Sequence, residues 1–368
     1  MSYPDTLALK ALRQGMTQRL ADDGHLHDPA WYNAVAETPR HVFVPFFHRQ
    51  VNGEWAVVTA DDDGYFDAVY SDRALTTQVS ENVATSSSSQ PSLMLQMLEA
   101  LGVEDGDMIG EVATGTGYNA ALICHRSGDE NLITVEVDAH LARLAKARLG
   151  EVGHHPTVRA ADARAGFPAD TPLDRLIITC GFDAFPYALA RGVRPGGVIV
   201  CPLGWGNARI TVGQDGTLLG RFLAGGSYFM KARDENSTGG VPYPGRSDNL
   251  THRNAAFDPR DLGGEGFRFV HSLVVGEVGE AQEMSGGTIT GYRMWTSDGS
   301  WAHVEDGTVH QSGPRKLWDT VERAYEWFES RGRPTRERFG VTITPDGQTY
   351  WLDEPGQKLP QEWLGHRP

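Results

Sequence analysis

Short apolar runs bounded by polar or turn residues recur through the middle of the chain. Residues 108–112, 132–138, 174–180 and 196–203 have this pattern, and a further run ends near residue 160. A short apolar run bounded by turn residues is typical of a strand buried on both faces of a parallel sheet. Because helix-like segments separate these runs, the pattern predicts an α/β fold with a doubly wound, mainly parallel sheet.

Helical patterns also precede and interrupt this core. Residues 5–20 carry leucine and methionine at helical spacing, and Asp28-Pro29 predicts the capped start of a second helix. Apolar positions in residues 93–101 predict another helix behind Pro91. The serines at 86–89 are therefore predicted to form a loop that leads into this helix, with Ser87 and Ser88 available as caps.

The last third of the chain has the mixed pattern of an α+β domain. Asp-Gly pairs at 298–299 and 306–307 separate strand-like runs, a helix is predicted near Ser312, and Pro345-Asp-Gly347 predicts a final hairpin. Residues 234–254, rich in Gly, Ser, Pro and Asn, are either a flexible loop over a site or a domain joint. Tryptophans crowd this region and form either core or a peptide-binding surface: Trp295, Trp301, Trp318, Trp327, Trp351 and Trp363.

These patterns divide the chain into three parts. Residues 1–80 form an N-terminal helical region with an insert, residues 81–235 a Rossmann-like cofactor-binding domain, and residues 236–368 a smaller C-terminal α+β domain. A length of 368 residues with 40% hydrophobic positions is enough for one large domain and a smaller one.

Composition excludes several function classes. A net charge of −15 argues against nucleic acid, which needs basic patches, and no Asn-Pro-Pro-Tyr-like run exists to hold a flipped base. Neither a membrane-length apolar run nor a secretory signal is evident, so we expect a cytoplasmic protein without a membrane partner. Three cysteines, Cys124, Cys180 and Cys201, lie in apolar contexts and are predicted to be buried thiols. No Cys/His spacing indicates a metal, and His154-His155 is expected in a solvated loop.

The most informative segment is residues 108–119. It consists of a strand-like run, the Gly115-Thr-Gly117 turn and a helical start, which is the arrangement of a nucleotide site. Such a turn also occurs as a purely structural joint. Glu136 and Asp162 follow the next two predicted strands and favour the ligand hypothesis, since they could accept hydrogen bonds from ribose hydroxyls and from the adenine amine.

Two cofactors fit this arrangement. With Ala120, the loop formally satisfies the dinucleotide pattern Gly-x-Gly-x-x-Gly/Ala. Glu111, however, precedes the loop, where it would repel a pyrophosphate and favour a sulfonium cation. The residues therefore favour S-adenosylmethionine over a dinucleotide.

The motifs resemble the protein-L-isoaspartate (D-aspartate) O-methyltransferase family over roughly residues 35–205. Residues 38–45 are similar to its Pro-Arg-x-x-Phe-Val-Pro segment, residues 68–75 to Tyr-x-Asp-x-x-Leu, and residues 87–92 to Thr-Ile-Ser-Gln-Pro. The cofactor loop resembles Glu-Ile-Gly-Thr-Gly-Thr-Gly-Tyr-Asn, and residues 174–203 resemble Tyr-Asp-x-Ile-x-x-Thr-Ala through Pro-Gly-Gly-x-x-x-x-Pro. The resemblance implies a class I methyltransferase fold and S-adenosylmethionine as cofactor, with S-adenosylhomocysteine as product.

The resemblance also implies a set of site residues. Ser89, with Ser88, would orient the substrate carboxylate. The substrate would also be contacted by Ser87, Gln90, Arg40 and Arg73. We expect Arg40, Arg73 and His41 either to supply positive potential near the cleft or to be exposed or salt-bridged. The implied cofactor residues are Glu111, Ala113, Thr114, Gly115, Gly117, Tyr118, Asn119, Glu136, Asp162 and Ala163.

Three departures from the family pattern bear on the substrate. Ala113 replaces the first loop glycine, an insert lies between Pro45 and Tyr70, and a long segment follows Leu203. The closing run at 338–353 resembles a subgroup associated with ATP-grasp peptide maturation. Members of that subgroup methylate an aspartate in a genetically encoded, cross-linked precursor peptide, and the ester then collapses to aspartimide.

Three hypotheses follow. The first is such a peptide-tailoring methyltransferase, whose partner is the precursor peptide. The second is an isoaspartyl repair enzyme with an appended domain. The third is a non-catalytic module that binds a precursor, which the presence of Glu136, Asp162 and Ser89 disfavours.

Overall fold

Ten α-helices and eighteen strands are found in the part of the chain that the structure, a computed structural model, describes: residues 4–182, 184–233, 241, 243, 251–276, 278–286 and 288–360. The helices are α1 Leu7–Asp22, α2 Pro29–Glu37, α3 Arg40–Phe43, α4 Tyr65–Val69, α5 Pro91–Leu101, α6 Tyr118–Ser127, α7 Ala139–Glu151, α8 Tyr187–Ala190, α9 Glu265–Val275 and α10 Leu317–Ser330. The strands are β1 Phe46–Val51, β2 Glu54–Thr59, β3 Leu75–Ser80, β4 Val83–Ser88, β5 Ile109–Val112, β6 Leu132–Glu136, β7 Thr157–Ala160, β8 Leu173–Ile178, β9 Val193–Leu203, β10 Gly206–Val212, β11 Leu218–Phe222, β12 Thr251–Asn254, β13 Gly279–Ser285, β14 Thr288–Trp295, β15 Trp301–Glu305, β16 Thr308–Ser312, β17 Phe339–Thr344 and β18 Gly347–Leu352.

The central sheet confirms the predicted α/β fold. Its nine strands lie in the order β18-β17-β11-β10-β9-β8-β5-β6-β7, with β5 between β8 and β6 as a doubly wound core requires. The ladders among β9, β8, β5, β6 and β7 are parallel, whereas those among β9, β10, β11, β17 and β18 are antiparallel. The sheet is therefore mixed rather than mainly parallel, because short turns join β9 to β10, β10 to β11 and β17 to β18, and β17 returns antiparallel to β11 after the C-terminal sheet.

The start of α2 confirms the predicted cap. Asp28 accepts a hydrogen bond from Ala30 N at 2.7 Å, and Pro29 occupies the first turn, where its missing N–H is not needed. The first helix also forms, over Leu7–Asp22, close to the predicted range. Local signals of this kind act within one turn of helix, so they are readable from the sequence.

The loop predicted for residues 86–89 is wrong for most of its length. Residues 86–88 belong to β4, which pairs with β3 through Leu75↔Ser88 and Thr76↔Ser87 in the four-stranded sheet β2-β1-β3-β4. The serines do not cap α5 either, since Gln90 is its N-cap residue and makes no side-chain cap. Asp72 instead accepts a hydrogen bond from Ser92 N at 2.8 Å. The cap thus comes from a distant residue, which no local pattern reveals.

The C-terminal part contributes to two sheets. Strands β12-β16-β15-β14-β13 form an antiparallel sheet, whereas the predicted final hairpin, β17 and β18, is confirmed but pairs with β11 in the central sheet. The phenyl rings of Phe222 and Phe269 meet at 4.7 Å, so one hydrophobic core joins the central sheet to α9. The division at residues 80 and 235 remains a prediction; β3 and β4 lie on either side of residue 80, and the final hairpin extends the central sheet.

Most of the described tryptophans of this region belong to the core. Trp301, Trp318 and Trp351 are buried, whereas Trp295 and Trp327 are partly exposed; Trp363 and most of residues 234–250 lie outside the described residues. None of the described helices is long and apolar enough to cross a bilayer.

Candidate active site

A cavity of about 630 Å³ opens at the carboxyl ends of the parallel strands, where the loop after β5 meets β4 and the start of α5. Among the predicted cofactor residues, six line this cavity: Ala113, Thr114, Gly115, Tyr118, Asn119 and Glu136. Asp162 and Ala163 line a small adjoining lobe that shares Glu136. Glu111 and Gly117 line neither the cavity nor the lobe.

The loop after β5 has the backbone of a glycine turn. Ala113, Gly115 and Gly117 have φ angles of 71°, 54° and 91°, in the left-handed region that favours glycine. Ala113 therefore adopts a conformation that its methyl group disfavours. A Cβ at Gly117 would lie 3.3 Å from the Cβ of Ala145 on α7, so close helix packing alone favours glycine here, and its predicted cofactor contact stays a prediction.

Glu136 is the acidic group best placed for a ribose. Its carboxylate accepts hydrogen bonds from Gly115 N at 2.9 Å and from Asp138 N at 3.1 Å, which ties the end of β6 to the loop. The residue is buried, and burial raises the pKa of its carboxyl group above its ordinary value. Each carboxylate oxygen retains acceptor capacity toward the cavity, as vicinal hydroxyls require.

Glu111 does not line the cavity, although we predicted that it would contact the cofactor. It is fully buried and accepts hydrogen bonds from Asn119 Nδ2 at 2.7 Å and from Thr134 Oγ1 at 2.6 Å. The Thr134 hydroxyl lies 2.6 Å from that of Thr114, so a chain of hydrogen bonds connects Glu111 to the loop. Burial raises the pKa of Glu111 to about 7. The residue supports the loop from beneath.

Asp162 lies where an adenine contact is expected but has an internal partner. Its carboxylate caps the turn that follows β7 and accepts hydrogen bonds from the Arg164 guanidinium at 2.6 and 3.0 Å. The Arg164 contact holds the pKa of Asp162 below its ordinary value. Ala163 is buried beside it. The ionised carboxylate thus stays available as an acceptor at the edge of the lobe.

Arg40 is not a substrate contact, contrary to our prediction. It is completely buried, and burial lowers the pKa of its guanidinium to about 10. Its side chain donates to the Ser88 hydroxyl at 3.3 Å. It also donates, at 2.9 or 3.0 Å, to the backbone carbonyls of Val69, Ser71, Arg73 and Ser89. Arg40 therefore ties together the segments on either side of β3 and β4 instead of presenting charge to a ligand.

The other predicted substrate residues separate into two groups. Ser87, Ser88, Ser89 and Gln90 line the cavity, although the buried Ser88 hydroxyl is engaged with Arg40. Gln90 Nε2 donates to Asp72 Oδ2 at 2.8 Å. Arg73 is exposed away from the cavity lining, and His41 is buried with Nδ1 2.6 Å from the Tyr70 hydroxyl. Of the basic residues in these motifs, neither Arg40 nor His41 supplies surface charge.

One wall of the cavity comes from a segment that sequence analysis missed. Residues 226–233, which we call the strap, cross the carboxyl end of β8, where Met230 O accepts from Gly181 N at 2.9 Å. Arg233 in the strap donates to Gln78 Oε1 at 3.2 Å and lies 3.8 Å from Asp138 Oδ2. The strap has no nucleotide-site motif, and its only sequence signal is an aromatic pair, Tyr228-Phe229, after a Gly-Gly turn.

The cysteines are free thiols, as expected. Cys124 and Cys201 are buried, and Cys180 is half-buried beside the small lobe, where burial raises its pKa to about 12. His154 and His155 lie in a loop, as expected; His155 is exposed, whereas His154 is half-buried and its Nδ1 lies 2.9 Å from Asp129 Oδ1. Cys124, Asp129 and His154 place their donor atoms within 4.8 Å of one another, a grouping invisible to sequence spacing.

Comparison with known proteins agrees with this geometry. Residues 11–215 match the family model described as protein-L-isoaspartate(D-aspartate) O-methyltransferase. The protein-L-isoaspartate O-methyltransferase of Methanosarcina mazei is 29% identical over 198 residues, which are 53% of this chain and 72% of the relative. The enzyme of that name from a Picosynechococcus strain is 30% identical over 205 residues, 55% of this chain and 79% of the relative.

A solved structure of a protein-L-isoaspartate O-methyltransferase superposes with a TM-score of 0.55 at 19% identity, covering 93% of this chain and all of that one. The superposition supports the Rossmann-like methyltransferase fold. Because the family model covers more than half of the chain, the chain belongs to the protein-L-isoaspartate(D-aspartate) O-methyltransferase family. It is an S-adenosylmethionine-dependent protein carboxyl O-methyltransferase, and the loop, Glu136 and the small lobe fit that cofactor.

Proposed function

We propose that this chain methylates the side-chain carboxylate of one aspartate in a ribosomally made precursor peptide, after which the ester closes to an aspartimide. The observation that carries the proposal is the strap. It lies beyond the family-matched residues 11–215, yet it forms a wall of the cavity. Because the strap lies at the wall of the cavity, its side chains can select the residues that flank one aspartate of a defined peptide.

Methyl transfer to a carboxylate requires correct positioning of the two reacting groups and does not require a general base. An aspartate with a reference pKa of about 3.9 is already ionised at neutral pH. S-adenosylmethionine, when bound, supplies a methyl group on a sulfonium, and the carboxylate oxygen displaces the thioether. Ser89 at the cavity wall would orient the carboxylate, and holding it in line with the methyl–sulfur bond supplies most of the acceleration. A bound substrate that displaced water from the cavity would favour neutralising the carboxylate anion against the sulfonium cation.

Ester formation leads to the imide without further help from the chain. The backbone nitrogen that follows the modified aspartate attacks the ester carbonyl, loses its proton and expels methanol. A carbon–nitrogen bond forms and a carbon–oxygen bond breaks, so the peptide has lost one water overall. The precursor substrate, cross-linked or linear, is the proposed partner.

Isoaspartyl repair is the second candidate. It is favoured by the family match and by the names of the relatives, which cover the same residues that form the cofactor loop. It requires the cavity to accept an isoaspartyl residue from many proteins. A solved protein-L-isoaspartate O-methyltransferase superposes over 93% of this chain, so the fold of the C-terminal part is compatible with this candidate as well.

Mass spectrometry separates the two. The enzyme and methyl donor are incubated with an isoaspartyl peptide, and in parallel with Asp-containing precursors, each in linear and ATP-grasp cross-linked form. The tailoring proposal expects methyl gain on a precursor, followed by net loss of water, with little turnover of the isoaspartyl peptide. Robust isoaspartyl methylation with every precursor untouched would refute it. Failure to bind S-adenosylhomocysteine by calorimetry would instead favour a non-catalytic module.

A further inference from the structure

A second cavity, of about 410 Å³, lies on the other side of the strap. Tyr228, Phe229 and Lys231 line both cavities, so the strap is the shared wall between them. The far side of the second cavity is built from α9, β13 and β14 of the C-terminal part, including Arg268, Glu280 and Tyr292. None of these C-terminal residues lies within the family-matched range 11–215.

Arg268 is the residue of this cavity with the clearest unused binding capacity. Its guanidinium carbon lies 3.3 Å from the ring centroid of Trp205, a cation–π stack that fixes the plane of the group. Within the described ranges, its N–H groups make no hydrogen bond or ion pair. A stacked guanidinium keeps its edge donors, and that edge matches a carboxylate in a two-point contact.

The surroundings favour one orientation for an anion. Glu280 also lines the cavity, but its carboxylate lies 3.6 Å from His271 Nδ1 and interacts with the Tyr292 hydroxyl. The Glu280 carboxylate is thus held by its polar partners His271 and Tyr292. Arg268 presents its guanidinium to the same cavity, so an acidic group is drawn toward Arg268 and away from Glu280.

Aromatic rings frame the same place. The rings of Trp205 and Tyr228 lie 5.3 Å apart, and Tyr228 is 66% exposed. Trp205 is itself held by its backbone N–H, which donates to Ser272 Oγ at 2.8 Å. A rigid aromatic surface beside a fixed cation is a suitable anchor for a peptide side chain and its backbone.

We propose that the second cavity is a subsite for an acidic side chain of the same peptide whose aspartate enters the first cavity, with Arg268 as the specificity-determining residue. This inference rests on the proposed function, because it takes the ligand to be a peptide. The strap then separates the reacting aspartate from a second carboxylate of the substrate, and a general protein substrate would meet this requirement only by chance.

Binding of defined peptides tests the subsite without relying on turnover. The probes are fluorescent, C-terminally amidated Asp peptides in which each flanking position carries Glu, Gln or Lys in turn, measured by anisotropy on the full chain saturated with S-adenosylhomocysteine. We expect one flanking position at which Glu binds about tenfold or more tighter than Gln, as a charge-assisted pair provides. In Arg268→Gln that preference should vanish, and in Arg268→Glu a Lys peptide should bind best.

The controls separate a local effect from misfolding. Arg191→Gln changes an exposed arginine outside both cavities and should leave the preference intact. Trp205→Leu removes the stacking surface and should weaken the Glu preference while S-adenosylhomocysteine affinity stays at the wild-type level. Equal affinity for Glu and Gln peptides, a preference that survives Arg268→Gln, or no peptide binding at all would overturn the subsite. A preserved charge preference without precursor methylation would instead overturn the proposed function alone.

Discussion

The guanidinium of Arg233 lies 3.8 Å from the carboxylate of Asp138, which links the strap to the end of strand β6. Arg233 also donates to Gln78 on β3 and exerts a positive potential on Glu136. One residue beyond the family-matched range thus connects three sides of the cofactor cavity. The strap is part of the site rather than a connection that passes over it.

Removing this contact should weaken cofactor binding. Arg233→Gln leaves Asp138 and Glu136 without the nearby cation, so the pKa of Glu136, already raised by burial, should rise further. Hydroxyls donate to the ionised carboxylate, and affinity therefore falls as pH drops through that pKa. We expect the fall in S-adenosylhomocysteine affinity, measured by calorimetry across pH, to begin at a higher pH in the variant. Arg191→Gln is the matched control, and an identical pH profile in both variants would contradict the prediction.

Glu136 itself should dominate ribose binding. Glu136→Ala removes both the acceptor in the cavity and the hydrogen bond from Gly115 N. A lost hydrogen bond to a charged group is worth about 1.5–3 kcal/mol, so affinity should drop about tenfold or more. Glu151→Ala, at an exposed position of α7, should have no effect on the same titration. Unchanged affinity in Glu136→Ala would place the ribose elsewhere.

The buried carboxyl of Glu111 should make stability depend on pH. Its pKa of about 7 in the folded chain exceeds the ordinary value of 4.5, so the folded state holds this proton between those two values while the unfolded state has lost it. The contribution of Glu111 to the free energy of unfolding therefore decreases as pH rises from 4.5 to about 7 and is constant above.

Glu111→Gln should remove that contribution. Urea unfolding followed at several pH values should show the variant gaining stability relative to wild type as pH rises through this window. Glu151→Gln, whose side chain is on the exposed face of α7, should track the wild type. A difference between Glu111→Gln and wild type that does not vary with pH would show that Glu111 titrates normally.

Two adjacent serines should behave differently. Ser89→Ala removes a hydroxyl that lines the cavity, so turnover should fall about tenfold while cofactor affinity and thermal stability stay unchanged. Ser88→Ala removes an acceptor from the buried Arg40 and should cost about 1–3 kcal/mol in the free energy of unfolding. Rates with a methylatable peptide and urea midpoints check the pair. Equal stability losses in both variants would contradict the assignment.

Ala113→Gly should not lower the free energy of unfolding, as a change to glycine usually does. An alanine in the left-handed region costs about 1–2 kcal/mol, whereas glycine loses roughly 0.5–1 kcal/mol through its freer unfolded state. The two nearly cancel, and we expect unchanged or slightly higher stability in urea. Ala147→Gly on the exposed face of α7 should instead lose about 1 kcal/mol. A similar loss in both variants would mean that the loop tolerates Ala113 without strain.

Local patterns were enough for the core of the cofactor site. Strands β5, β6 and β8, the cap at Asp28 and the turn around Gly115 all follow from apolar runs and turn residues within a few positions of one another. Glu136 lies at a strand end for the same reason, and parallel strands bring such ends to one edge. These predictions depend on interactions between neighbours in the chain.

Predictions for charged residues were wrong where those residues are buried in the folded chain. Arg40 and His41 belong to a motif, and as basic residues they would be expected at the surface. Both are buried, because backbone carbonyls of other segments bind the Arg40 guanidinium and the Tyr70 hydroxyl binds the His41 ring. Glu111 likewise faces inward, toward Asn119 and Thr134. A sequence shows that a residue is charged, whereas its partners come from segments that only folding brings together.

The sequence by itself determined the alternating α/β core, the cofactor loop and its acidic partner at the end of β6, because these depend on local periodicity and turn chemistry. Only the tertiary structure decided that the strap closes the cavity, that the final hairpin extends the central sheet and that a second cavity holds the stacked Arg268. Each of these depends on pairing between residues far apart in the chain. Such pairing depends on the packing of whole surfaces, which leaves no periodic trace in either partner.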